Sequence, residues 1–522
     1  MTVGTVLSRV TGVFRLALLG ATLGVVETRL TDTYNLANTV PNIVYELVLG
    51  GVITAVFVPI FVELLDTRED GDRAVSGIFN LCLAGLTALA LIGMVAAPLI
   101  ARFYASALSG VESAEQQRAI TVLLRFFLPQ LPLYGLYFMG SAYLNVRKSF
   151  VLPMFTQVVN NIVLIGVLVA FNLLYANVDL ASVTDTQLAI LGLGTTLSVA
   201  PMGVLLLPSL RRLGYRWQWH FDRVVWRRMA SLSGYAIGFV AANQVGFLVI
   251  QWLANRRQGG YTAYVAAFTF FLLPIGLFVW SITTAMAPLL SRTAMRPGRE
   301  GMVDAVSLAV RATLFLMVPC TVGFLVLGEP IVELLLEHGR VTQASTDLIA
   351  RILSFLVLGL VQFSIFQVLI RASYAMKDAR TPFFVNAAII ALNIALNVVM
   401  FRWMGVTGLA AGHALAYTVA IALQGRVLWR ELHGLDLPRI ARSFTRIAVA
   451  ALGMGALVFV AARLLGGVLD DAGLAGLAVS VTALTALGGA AYLWLASLLK
   501  VEEIAFVRNA LGRRLGPPVR AE

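Results

Sequence analysis

Two arginines lie inside the first apolar segment of the chain, where a charged side chain is costly. The stretch TVLSRVTGVFRLALLGATLG, residues 5–24, carries Arg9 and Arg15 six positions apart. On an ideal helix these side chains point about 120° apart. A guanidinium is always charged and offers a planar fork of donors that matches phosphate oxygens. The pair therefore indicates an anion site, with snorkelling or a salt bridge to Asp32 or Glu46 as the structural alternatives.

The second apolar segment carries a polar stripe. Its polar and small residues recur every three or four positions, and so share one helix face: Asn35, Asn38, Asn42, Glu46, Gly50 and Thr54. An ionisable residue within a membrane helix is a functional candidate by default. Glu46 is such a residue, and it can answer an arginine, bind a proton or sodium ion, or form a structural salt bridge. Pro41 predicts a break in this helix.

The composition is that of a membrane protein. Of the 522 residues, 59% are hydrophobic and only 13% are charged, whereas a soluble chain is about half apolar and about a quarter charged. The net charge of +12 is spread in short clusters between apolar runs, which excludes a nucleic-acid-binding domain. No catalytic or metal-binding motif is present, so we expect an all-α polytopic transporter without a cofactor.

Fourteen apolar segments are long enough to cross a bilayer. They span roughly residues 4–25, 34–64, 76–104, 120–145, 150–175, 187–210, 231–254, 261–290, 303–328, 344–374, 381–403, 406–427, 443–465 and 474–498. With both termini in the cytoplasm, the inside loops and tail hold 24 Lys and Arg and the outside loops hold 8. This bias predicts that orientation.

Three residue pairs share an offset near 230, which indicates an internal repeat. They are Pro41 with Pro274, Tyr143 with Tyr374, and Pro153 with Pro382. We predict two pseudo-symmetric six-helix lobes, an extra helix pair and a tail. The lobes span residues 1–211 and 231–430, and an interfacial linker at 212–230 joins them. The extra helix pair spans 431–499 and the tail spans 500–522. Tryptophan interleaved with arginine over 211–232 predicts an amphipathic helix at the cytoplasmic interface.

Several stretches of the chain are similar to one family of membrane transporters. They are SRVTGVFR (8–15), VPN (40–42), FVPIF (57–61), EPIVELLLEHGRVT (329–342), YAMKDARTP (374–382) and GVTGLAAGHALAYTVAIAL (405–423). Together they resemble the MurJ/MviN family, the lipid II flippases of the MOP exporter superfamily. The resemblance implies a V-shaped bundle of two lobes, with a groove for the undecaprenyl tail at the final helix pair. It also implies transport of lipid II, the diphosphate-linked peptidoglycan precursor, across the bacterial cytoplasmic membrane by alternating access.

The resemblance also suggests which residues bind substrate. Arg9 and Arg15 match the two arginines that the family places in its first-span cavity, and Asp32 matches an acidic residue after that span. Two further cavity arginines of the family are replaced by Tyr45 and Thr269. The predicted substrate-binding residues are therefore Arg9, Arg15, Asp32, Asn42, Tyr45, Glu46 and Thr269.

The two replaced arginines keep other functions open. One alternative is a MOP transporter for another polyprenyl-linked oligosaccharide or a drug. Another is a non-transporting membrane scaffold for wall-synthesis enzymes. Expected partners are lipid II, membrane lipids and cell-wall synthesis proteins, and the sequence leaves open whether membrane potential, Na⁺ or H⁺ drives transport.

Overall fold

A computed structural model describes residues 2–47, 57–67, 70–147, 149, 151–175, 177–220, 223–295, 298, 300–469 and 473–504. These residues form helices joined by short loops, and no strand occurs among them. The predicted all-α class is confirmed. The helices are α1 Thr2–Leu23, α2 Leu30–Glu46, α3 Val58–Thr67, α4 Gly71–Ala105, α5 Gly110–Phe127, α6 Gln130–Val146, α7 Val151–Leu174, α8 Asp185–Val204, α9 Leu207–Arg212, α10 Arg223–Ala254, α11 Gly260–Pro274, α12 Trp280–Ala294, α13 Glu300–Leu336, α14 Gln343–Val357, α15 Leu360–Ala375, α16 Arg380–Met404, α17 Val406–Leu432, α18 Leu437–Leu469 and α19 Gly473–Leu498.

The helices are long enough for a multi-pass membrane protein. Within the described residues, eleven helical segments are long and apolar enough to cross a bilayer. The bent pair α14 and α15, with 46° between them, makes a possible twelfth. The first predicted span contributes a shorter apolar stretch, Val10–Leu23, and the middle of the second lies outside the described residues. The multi-pass architecture is confirmed, and the count of fourteen stays a prediction.

The ends of α1 and α2 follow from particular residues. Gly24 terminates α1 because it adopts a left-handed conformation, with φ +83°, while its N–H still donates to the carbonyl of Gly20 at 2.6 Å. In α2 the predicted break at Pro41 is wrong, since the helix runs on to Glu46. A proline removes only one backbone donor from the helix, and a neighbouring turn can continue past it.

The chain divides into two compact units. The first contains residues 1–266, 335–348 and 386–409. Within it α1 packs against α7, and α4, α6 and α8 surround a core of large buried side chains. Phe61, Phe79 and Tyr143 are each almost fully buried in this core. The first unit therefore positions the helix that carries Arg9 and Arg15.

The second unit contains residues 267–334, 349–385 and 410–522. Its core includes buried side chains of α13, α15, α17, α18 and α19. The final helices α18 and α19 pack on each other, where a Cβ at Gly488 would lie 3.0 Å from Val458. The hydroxyl of Tyr492 on α19 donates to the carbonyl of Phe315 on α13 at 2.7 Å. A C-terminal helix pair is thus present, while the boundaries predicted for the two lobes stay a prediction.

The predicted amphipathic helix over 211–232 is wrong for residues 215–220, which form no helix. The physical reason is that buried side chains of α4 bind the backbone of this segment instead. Asn80 donates to the carbonyl of Gln218 at 2.7 Å, and the N–H of Arg216 donates to Ser76 at 3.2 Å. Helical structure begins again only at Arg223, as the start of α10.

Candidate substrate site

Helix α1 is held in a fixed rotation by two amide side chains of α7. Asn161 donates to the carbonyl of Ser8 at 3.2 Å and to the hydroxyl of Thr11 at 2.9 Å. Gln157 lies one turn earlier and accepts from the Ser8 hydroxyl at 3.4 Å. These contacts place one face of α1 against α7. They thereby determine the directions in which its other side chains point.

Arg15 is half-buried on α1. Helix α2, which carries Tyr34 and Tyr45, packs against α1, and α6, which carries Tyr134, packs against α2. Within the described part of the chain, Arg15 makes no hydrogen bond and no ion pair. Five N–H donors are therefore available to an anion. Arg9 lies six residues earlier in α1, and its side chain lies outside the described part of the chain.

Tyr45 and Asn42 form a wall with α6. The Tyr45 ring packs at 4.7 Å from the ring of Tyr134, in a T-shaped arrangement, and at 4.5 Å from that of Phe138. The Tyr134 hydroxyl lies 3.3 Å from Oδ1 of Asn42 and 3.3 Å from Oε1 of Gln130. Tyr45 thus supplies an aromatic surface, which Tyr134 supports from behind.

Some residues of the polar stripe of α2 have hydrogen-bond partners within the protein, and others do not. Asn35 donates to Thr262 at 3.1 Å, and Asn38 has a buried Oδ1 without a hydrogen-bond partner in the described chain. Gly50 and Thr54 lie outside the described residues. Glu46 is the last residue of α2 and is exposed. Among described residues it forms no ion pair with Arg15, so its predicted pairing with that arginine is absent from this structure.

Asp32 is fully buried and bound from the start of α11. Its Oδ2 accepts from the backbone N–H of Gly259 at 2.7 Å. Its Oδ1 accepts from the backbone N–H of Thr262 at 2.8 Å and from the Thr262 hydroxyl at 2.7 Å. Three donors therefore occupy this carboxylate, which joins α2 to the α10–α11 turn. Its predicted contact with substrate stays a prediction.

Thr269 lies in the part of α11 that belongs to the second unit, where it is half-buried. A π-helical turn, Ile275–Val279, follows α11 after Pro274. Such wide turns inside helices are frequent at functional sites. This turn therefore marks the helix of Thr269 as one that departs from regular geometry.

Glu27 is a structural residue that sequence reasoning missed. Its carboxylate accepts from the backbone N–H groups of Val25 at 2.6 Å and Thr342 at 2.9 Å. It also accepts from the hydroxyls of Thr342 at 2.5 Å and Ser345 at 2.8 Å. Burial opposes its ionisation, yet these hydrogen bonds outweigh burial and lower the pKa of Glu27 below its usual value. The only signal in the sequence was its place, with Asp32, among the two acidic residues between the first two apolar segments.

No group of three or more His, Cys, Asp or Glu side chains suitable for a metal ion occurs among the described residues. The candidate site consists of the half-buried guanidinium of Arg15 on α1 and the tyrosine and asparagine side chains of the neighbouring helices α2 and α6. Such a site can hold a phosphate through charge-assisted hydrogen bonds. It can also offer ring faces to the rest of a ligand.

Comparison with known proteins places this chain in a family. A family model described as lipid II flippase MurJ matches residues 19–471. A probable lipid II flippase MurJ of Rhizobium meliloti is 27% identical over 511 residues, covering 97% of this chain and 94% of the relative. A Vibrio cholerae protein of the same description is 28% identical over 518 residues, covering 95% and 94%.

Solved structures show the same fold. A lipid II flippase MurJ in an inward closed conformation has a TM-score of 0.76 at 20% identity, covering 98% of this chain and 99% of its own. An inward-facing multidrug resistance transporter of the MATE family, within the MOP superfamily, has a TM-score of 0.65 at 13% identity, covering 81% and 95%. At these identities the structures bear on the fold alone, whereas the family model covers most of the sequence. The chain is a member of the lipid II flippase MurJ family.

Proposed function

We propose that this protein is a flippase that moves lipid II from the inner to the outer leaflet of the bacterial cytoplasmic membrane for cell-wall synthesis. The observation that carries this proposal is the half-buried, unpaired guanidinium of Arg15 in a membrane helix of a MurJ family member. A charge is held in such a place only when something offsets its desolvation. The diphosphate of lipid II is an anion of the right geometry for a guanidinium fork.

Each residue of the site has a role in this proposal. Arg15 binds diphosphate oxygens, and Arg9 on the same helix adds a second positive charge. Tyr45 packs beside the bound headgroup, and Asn42 fixes the hydroxyl of Tyr134 behind it. Because substrate binds differently to the inward-open and outward-open states, alternating access would carry the headgroup across.

Glu46 competes with the substrate in this scheme. Its exposed carboxylate ends the same helix that carries Tyr45, and it is not paired with Arg15. A negative charge there lowers the positive potential of the empty site and so opposes the binding of diphosphate. Proton binding by Glu46 is one candidate for coupling, beside Na⁺ and membrane potential.

The orientation of the chain is part of the proposal. The 24 inside and 8 outside basic residues support cytoplasmic termini. Cysteine labelling from outside, in a background without Cys82 and Cys320, tests this. Residue 181, which is exposed in the loop 176–186, should be labelled and residue 218 should not, and the reverse pattern would overturn the orientation.

Complementation tests the function itself. The cell's own lipid II flippase is depleted while this gene is supplied in its place, with membrane levels checked by immunoblot. We expect growth and lipid II turnover to be restored. Normal membrane levels with no rescue in the depleted cell, together with no lipid II binding by the purified protein, would contradict the proposal and favour another MOP cargo or a scaffold.

A further inference from the structure

Residues 213–220, here called the strap, lie along the first part of α4. The Tyr215 hydroxyl donates to Oδ1 of Asn80 at 2.5 Å, and Nδ2 of Asn80 donates to the Gln218 carbonyl at 2.7 Å. The N–H of Arg216 donates to Oγ of Ser76 at 3.2 Å. Asn80 and Ser76 are both fully buried. Asn80 and Ser76 thus hold the strap through hydrogen bonds, and this role accounts for two buried polar side chains in a membrane helix.

Close backbone approach fixes the strap further. Gly214 has φ +103°, a conformation that favours glycine. A Cβ at Gly77 would lie 2.5 Å from the carbonyl oxygen of His220. The Tyr143 hydroxyl lies 2.7 Å from the Leu213 carbonyl and 2.6 Å from Oδ1 of Asp72. The strap therefore has one defined position on α4.

The held strap presents tryptophan and arginine outward. Trp217 is 64% exposed and Trp219 is 60% exposed, and their rings pack edge to face at 5.9 Å. Arg216 between Tyr215 and Trp217 is exposed, as are Arg211 and Arg212 just before the strap. Over residues 211–228 the sequence has six arginines and one acidic residue. An exposed indole pair would be costly in water unless it meets another surface.

We propose that the strap is a binding site for the headgroups of anionic phospholipids. It connects two membrane-spanning helical segments, α8–α9 and α10, so it lies at the end of spans, where headgroups are found. Indoles favour the boundary between hydrocarbon and water, and basic side chains there attract anionic lipid. A guanidinium also binds lipid phosphate directly. This site is separate from the helices that carry Arg15 and does not depend on the cargo.

The test uses the full chain purified in nanodiscs. Phosphatidylglycerol brominated on its acyl chains near the headgroup serves as the quenching probe, against equally brominated phosphatidylcholine. The variant Trp217→Phe/Trp219→Phe keeps the aromatic rings and removes the fluorophores. The variant Arg216→Ala removes the charge, and Asn80→Leu releases the strap. The matched control is Arg402→Ala/Trp403→Phe, an exposed pair at the end of α16.

Phosphatidylglycerol should quench the wild type more than phosphatidylcholine does. This excess quenching by phosphatidylglycerol should disappear in Trp217→Phe/Trp219→Phe and persist in the control Arg402→Ala/Trp403→Phe. Arg216→Ala should weaken phosphatidylglycerol binding about five-fold, and Asn80→Leu should reduce the excess quenching. Equal quenching by both lipids would overturn the proposal. So would an excess that survives in Trp217→Phe/Trp219→Phe, or a strap-dependent signal given by lipid II and not by phosphatidylglycerol.

Discussion

Replacing Asp32 with asparagine separates a structural role from substrate binding. The buried carboxylate accepts three hydrogen bonds, from the N–H groups of Gly259 and Thr262 and the Thr262 hydroxyl. In Asp32→Asn the amide oxygen can serve Thr262, but the new NH₂ group then faces the N–H of Gly259. One charge-assisted hydrogen bond is lost, a buried donor is left unpaired, and the other two bonds become neutral.

The size of the effect follows from these losses. A hydrogen bond to a charged group contributes about 1.5–3 kcal/mol and a neutral one about 0.5–1.5 kcal/mol. The neutral amide costs less to bury than a carboxylate, which offsets part of the loss. A net local destabilisation of about 2–4 kcal/mol remains. This corresponds to roughly 30- to 900-fold faster opening of the contact.

Hydrogen exchange measured by mass spectrometry reads this opening directly. Peptides that cover residues 255–262 should exchange faster in Asp32→Asn by the stated factor. The control Thr262→Val removes one hydroxyl and keeps both backbone donors, so its acceleration should be smaller. If exchange in Asp32→Asn stays within about three-fold of wild type while lipid II binding falls, Asp32 is a substrate ligand and the structural reasoning is refuted.

Three further predictions concern other carboxylates. Since its pKa is lowered in the fold, Glu27 should contribute stability above its ordinary pKa of 4.5; thermal unfolding should show this stability lost as the pH falls below that value, and Glu27→Gln should abolish that dependence. Glu46→Gln should bind purified lipid II at least as tightly as wild type and transport it more slowly; weaker binding with a large loss of stability would contradict the competitor role. Arg311 and Glu503 form a buried ion pair at 2.5 Å, so Glu503→Ala should lower stability by about 3–5 kcal/mol, whereas an unchanged midpoint in denaturant titration would show that the pair is dispensable.

The sequence predicted the helices well because a membrane span is a local property. An apolar run of about 20 residues can cross a bilayer only as a helix or as part of a closed barrel. The arginines in the loops then predict which side of the membrane each loop faces. The final pair α18 and α19 could be identified in this way. The break at Pro41 was predicted wrongly. A proline removes one backbone hydrogen bond from a helix, but the sequence does not show whether packing of the surrounding residues keeps the helix continuous.

The features that sequence reasoning missed depend on distant partners. Glu27 meets Thr342, which lies 315 residues further along the chain, and Asn80 meets Gln218 at a separation of 138 residues. No periodicity links such positions. The strap was predicted as part of an amphipathic helix because tryptophan and arginine are interleaved there, but the buried amide of Asn80 binds its backbone instead. For the site, Arg15 and Tyr45 were named from the sequence and their contact with substrate stays a prediction, while the packing of Tyr45 against Tyr134 and Phe138 became visible only in the structure.

The affinity of purified protein in nanodiscs for lipid II, compared between wild type and Arg15→Ala, tests the central claim most directly. Removing the guanidinium takes away charge-assisted hydrogen bonds to the diphosphate, so affinity should fall about 10- to 100-fold. Arg15→Lys should be intermediate because a point charge lacks the fork. Arg118→Ala, which breaks an exposed ion pair with Asp185 in the same unit, should bind like wild type. Folded Arg15→Ala protein that binds lipid II within two-fold of wild type would contradict the assignment of this arginine to the diphosphate.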